Sequence, residues 1–109
     1  MKTTIQTDRV TVKITANDKG NPPGKLADAE LHFADGPLAG LKLIGFAIWE
    51  RRSAGGRNVT FPARVYSVNG ERRSFALLRP VVDSTAQDRV RDRILEAYAE
   101  YEQTLTADA

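Results

Sequence analysis

The chain has no cysteine, a single histidine, one tryptophan and no apolar run approaching the roughly 18 residues of a membrane helix. Without cysteine there is no thiol nucleophile, disulfide scaffold or Cys-based zinc site, and the composition fits a reducing compartment. A lone histidine leaves a transition-metal site short of ligands and leaves the serines at 53, 67, 74 and 84 without a ready base. None of those serines lies in a Gly-x-Ser-x-Gly elbow, and Gly55-Gly56 is not followed by the Gly-Lys-Ser/Thr of a phosphate-cradling loop. Residues 1–9 lack the apolar stretch of a signal peptide. The expectation is a cytoplasmic, non-enzymatic protein without metal or cofactor and without a membrane partner.

What is present describes one folded domain over residues 1–109, with 41% hydrophobic and 28% charged residues. Its charge is segregated. Residues 1–40 hold five basic and five acidic side chains, residues 41–80 hold eight and two, and residues 81–109 hold three and seven. The middle of the chain therefore offers an anion-binding surface, or one of two complementary surfaces that meet within or between chains.

Period-two alternation predicts a first strand over Arg9–Ala16, with Val10, Val12, Ile14 and Ala16 inward. A second follows with Ala27, Ala29, Leu31 and Phe33 inward. The Asn17–Gly24 stretch, rich in Pro, Gly and Asn, is the loop between them. Residues 41–49, apolar on both faces, predict a central strand covered on two sides. A fourth strand is expected over Val59–Val68, demoted to an edge or bulged by Pro62. Asn69-Gly70 then marks a type I′ hairpin into a fifth strand ending before Pro80. One face of that hairpin, with Val59, Phe61, Ala63, Val65, Ala76 and Leu78, is read as the bed for a helix. Ser84-x-x-Gln87 is a capping box, and Ala86, Val90, Ile94, Ala97, Tyr101 and Leu105 trace an amphipathic helix over residues 84–104. The fold class is α+β: a five-stranded, mainly antiparallel sheet of two hairpins and a central strand, closed by one long C-terminal helix.

The hairpin face turned away from the helix interleaves Arg64, Tyr66, Arg73, Phe75 and Arg79, with Arg72 near the tip. Arg51, Arg52 and Arg57 lie in the preceding connection. Guanidinium groups fork onto phosphates and aromatic rings stack on bases, so this pattern suits nucleic acid. It equally suits a solvated edge hairpin whose charges deter aggregation. In the helix, Arg89, Arg91 and Arg93 precede Glu96, Glu100 and Glu102, against the macrodipole's preference. Pairing of Arg89 with Asp92 and Arg93 with Glu96, an anion at the helix start, or a neighbouring chain's basic surface would each account for it. Tyr98 and Tyr101 fit either core packing or a dimer seam.

The succession Val59-Thr60-Phe61-Pro62-Ala63-Arg64, Asn69-Gly70-Glu71, Phe75 to Pro80-Val81 and a capped helix ending Ala97-Tyr98-Ala99-Glu100-Tyr101 resembles the stage V sporulation protein G (SpoVG) family over residues 41–104. In that family a strand ends in Met-Pro-Ser-Lys, a hairpin carries Asp-Gly-Glu and a His-Pro-Ile precedes the closing helix. Here Ala63 stands for Ser and Arg79 for the His. The resemblance implies a small bacterial protein, a homodimer through its sheet and terminal helix, that binds DNA or RNA and regulates gene expression in septation and sporulation. It puts Arg64 at the position of the family's nucleic-acid-binding lysine. The competing reading is a homo-oligomeric interaction module that binds no nucleic acid, its basic middle meeting a partner's acidic helix.

Overall fold

A computed structural model describes residues 9–51 and 55–107. Among these residues six strands and one α-helix follow in the order β1 (Val10–Ala16), β2 (Lys25–Phe33), β3 (Lys42–Glu50), β4 (Arg57–Thr60), β5 (Ala63–Val68), β6 (Glu71–Ala76) and α1 (Thr85–Ala107), with a short 3-10 turn at Gly36–Leu38. β1 to β4 form an antiparallel sheet in sequence order, while β5 and β6 form a separate two-stranded ribbon. The α+β class holds, but the single five-stranded sheet does not.

The first hairpin follows the alternation in its sequence. Val10, Val12, Ile14 and Ala16 sit opposite Phe33, Leu31, Ala29 and Ala27, and the eight side chains share one face. α1 closes that face, placing Ile94 and Tyr98 in one apolar cluster with Ala27, Ala29, Leu31, Phe46, Ile48 and Val59. Each large side chain buried there contributes about 1.5–3 kcal/mol. Tyr98 thus belongs to the core of its own chain. The opposite face of β3 is open to solvent at Lys42, half-covered at Trp49 and closed at Ala47, so β3 is central but not covered on both sides throughout. Trp49, on that outer face, donates from Nε1 to Thr60 Oγ1 at 2.9 Å.

Pro62 explains the departure from one sheet. The expected Val59–Val68 strand is cut at Phe61-Pro62, because proline gives no N–H to a ladder. On β3 the pairing shifts register between Leu31↔Leu43 and Ala29↔Phe46, which places Ile44 and Gly45 in a bulge. Gly45 has φ +109°, and a Cβ added there would lie 2.8 Å from Pro62 Cβ. The buried Pro62 ring therefore rests on a bulge glycine, and the chain leaves the main sheet at that point.

Beyond it, every residue of β5 is exposed, and of β6 only Ala76 is half-buried. The expected helix bed therefore splits. Val59 joins the core and Phe61 and Leu78 pack on it, whereas Val65 keeps 53% of its surface exposed.

α1 begins at Thr85, whose N–H donates to Asp83 Oδ1 at 2.9 Å. That bond, with the nearby Arg89 charge secondary, holds the Asp83 carboxyl below its ordinary range. The helix's inverted charge order is answered both by i,i+3 pairs within α1, the expected Arg93–Glu96 pair among them, and by contacts to other elements. Arg91 pairs with Asp88 at 2.7 Å and lies 5.9 Å over the Phe61 ring. Arg93 reaches the Val10 carbonyl at 3.5 Å and Glu96 at 3.9 Å. At the far end, Glu102 binds Arg57 of β4.

Candidate nucleic-acid interface

The β5–β6 ribbon is made by its turn. Asn69 and Gly70 take φ of 51° and 83°, the two left-handed positions of a type I′ turn, and the register Val68↔Glu71, Tyr66↔Arg73, Arg64↔Phe75 is the one expected from the sequence. Leu77 N–H continues the ladder to the Pro62 carbonyl at 2.9 Å. Alternation then sorts the side chains. Arg64, Tyr66, Val68, Glu71, Arg73 and Phe75 share one face, while Val65, Ser67, Arg72 and Ser74 share the other.

On the first face, Tyr66 and Phe75 meet edge to face with ring centroids 5.7 Å apart. Arg73 donates from Nη2 to Glu71 Oε1 at 2.9 Å, with both side chains more than half exposed. Such an exposed pair is worth at most about 1 kcal/mol, so a phosphate competes for Arg73 readily. Arg64 and Arg72 are exposed.

The other expected contacts fall elsewhere. Arg79 lies beyond the ribbon in the link to α1, where it lines a shallow groove of about 460 Å³ with Val81, Val82, Thr85 and Arg89. It is therefore at the ribbon's root and not on its aromatic face, because β6 ends at Ala76. Arg51 is exposed at the end of β3, its N–H donating to the Gly56 carbonyl at 3.2 Å. Arg52 lies outside the described residues. The β3–β4 connection enters β4 at Arg57, whereas the ribbon departs beyond Thr60, so the length of β4, about 10 Å, separates them.

Arg57 is not a free phosphate ligand. Its Nη2 donates to Glu102 Oε2 at 2.7 Å, and its guanidinium carbon stands 5.6 Å from the Tyr98 ring centroid. The Glu102 bond pushes the Arg57 pKa up against the opposing cost of burial, while burial pushes the Tyr98 phenol up. The side chain ties β4 to α1. Glu102→Gln is expected to destabilise the fold by about 0.2–1 kcal/mol in urea unfolding, the range for a largely solvated pair.

His32 lies on the outer sheet face with Nε2 2.8 Å from Glu30 Oε1, and Lys42 Nζ is 3.4 Å from the same oxygen. The His32 hydrogen bond, followed by Lys42, holds the Glu30 carboxyl below its ordinary range against partial desolvation. Among the described residues no three His, Asp or Glu side chains gather as a metal site needs. Among the described residues no helix is long and apolar enough to cross a membrane.

The sequence reading missed the exposed apolar residues on and beside the ribbon: Leu77 at 57%, Val81 at 96% and Val82 at 90% exposure. No local pattern marks them, since Leu78 between them packs on the core. The chain matches no family model, no curated protein and no solved structure.

Proposed function

We propose that this protein binds nucleic acid without catalysis and regulates by occupancy, using Arg64, Tyr66, Arg72 and Arg73 on the ribbon and Arg79 at its root. Arg51 is a peripheral phosphate contact. The observation that carries the reading is the free-standing ribbon itself, because its arginines face solvent from both faces and lie neither beneath α1 nor within the sheet. A polyanion reaches such guanidinium groups without any rearrangement of the core. The order of motifs that resembles the SpoVG family supports the same reading, and with it a bacterial regulator of septation and sporulation acting in the cytoplasm as a homodimer.

A gel-shift series with random-sequence DNA and RNA pools tests the proposal. Retarded complexes that weaken as salt rises are expected, since each neutralised phosphate releases bound cations. Complexes insensitive to salt, or none, contradict it.

A second reading is a homo-oligomeric interaction module. It is favoured by Val65, Leu77, Val81 and Val82 on and beside the ribbon, exposed by half or more, and by Glu96 and Glu100, exposed on the acidic half of α1. Light scattering separates the two. Salt-driven dissociation into monomers, with no retarded oligonucleotide, favours the module.

A further inference from the structure

The register of the ribbon says which form of nucleic acid its aromatic face accepts. Phe75 stands directly across from Arg64, and Tyr66 directly across from Arg73. The Cβ atoms of each ring-bearing residue and the arginine opposite it are thus about 5 Å apart. The two rows are two residues apart, about 7 Å along the strand. The result is a checkerboard of two rings and two cations on one exposed surface, with Tyr66 and Phe75 keeping 39% and 40% of their area in solvent.

A ring held this way offers a flat surface to the face of a base. Duplex DNA does not present base faces: in either groove it shows only base edges, because each face is covered by the next pair. Single strands splay their bases and stack them on aromatic side chains, with nearby arginines holding the backbone. An aromatic pair also stabilises a hairpin. That role alone does not call for a cation directly opposite each ring.

We infer that the ribbon's ligand is single-stranded nucleic acid, with successive bases on Tyr66 and Phe75 and their phosphates on Arg73 and Arg64. This rests on the nucleic-acid reading above. The preference is for strandedness over sequence, since every base has a face to stack.

The test is fluorescence anisotropy of the full chain with labelled oligothymidine and with a mixed-sequence duplex of equal length. Two ring variants accompany it: Phe75→Leu, which keeps an apolar side chain but no ring, and Phe75→Trp, which keeps a ring. The single strand is expected to bind about 10-fold or more tightly than the duplex. Phe75→Leu should lose about 10-fold on the single strand with little effect on the duplex, and Phe75→Trp should restore it. Because rings neutralise no phosphate, the salt slope should be the same for all three proteins. Salt-dependent binding that favours the duplex, or that ignores Phe75→Leu, overturns the single-strand inference and leaves the polyanion reading standing. A Phe75→Leu loss that Phe75→Trp fails to restore also overturns it, since the ring then serves only the hairpin. Binding to neither probe overturns both.

Discussion

Alanine at Phe46 is expected to lower the unfolding free energy by about 3–5 kcal/mol, the range for emptying a fully enclosed phenylalanine site. Phe46 has no exposed surface and packs edge to face on Phe61 with ring centroids 5.1 Å apart. It lies where the sheet, the helix and the root of the ribbon converge, so few neighbours are free to collapse into the space it leaves. A domain of this size holds only about 5–15 kcal/mol in total, which makes the substitution close to unfolding. Alanine at both Arg64 and Arg73, by contrast, should shift stability by under about 0.5 kcal/mol per site, as surface changes away from buried features do. Urea unfolding followed by circular dichroism measures both. A loss under about 1 kcal/mol for Phe46→Ala would mean that this ring is not in the core.

Gly45→Val should cost about 2–6 kcal/mol, for two reasons that act together. A β-branched residue is strained at a φ of +109°, at about 1–3 kcal/mol. Its Cβ also meets the Pro62 ring at 2.8 Å, and overpacking adds about 1–3 kcal/mol. Pro62 is buried between β4 and the ribbon, so the clash is relieved only by moving the ribbon's root. Gly70→Ala is the control, because φ there is +83° but the space around it is open, and only the backbone strain of about 1 kcal/mol or more should appear. Equal losses at the two glycines would remove the Gly45–Pro62 contact from the account. In the Gly45→Val protein, amide resonances of β5 and β6 should shift while those of β1 stay in place.

Much of this architecture was readable from local rules, and what was not depended on contacts between distant residues. The β1–β2 pairing follows from alternation, since a slip of one residue would turn Val12 and Ile14 to solvent. The β5–β6 register follows from Asn69-Gly70, because the turn type fixes which residues face each other. Pro62 marks a weak point of a strand on sequence alone. That it ends one sheet and begins another depends on Gly45, 17 residues away, whose bulge receives the proline ring. Arg57 looked like its neighbours in composition. It differs because Glu102, 45 residues distant, holds its guanidinium against Tyr98, and no local pattern encodes that pairing. Distant contacts also share in the helix's charge order: beside the local pairs Arg91–Asp88 and Arg93–Glu96, arginines near the start serve Phe61 and the Val10 carbonyl and a glutamate near the end serves Arg57. The aromatic and basic face of the ribbon was legible because alternation alone sorts Arg64, Tyr66, Arg73 and Phe75 to one side.

The central claim is that solvent-facing arginines on the ribbon attract a polyanion. It is tested most directly by the salt dependence of oligonucleotide affinity for the native chain and for the Arg64→Ala, Arg73→Ala double variant. With about four phosphates neutralised on a single strand, log affinity of the native chain should fall against log salt with a slope near −3, and the double variant should bind more weakly with a slope shallower by about 1.4. A double variant that is folded and binds with unchanged affinity and slope would contradict the account.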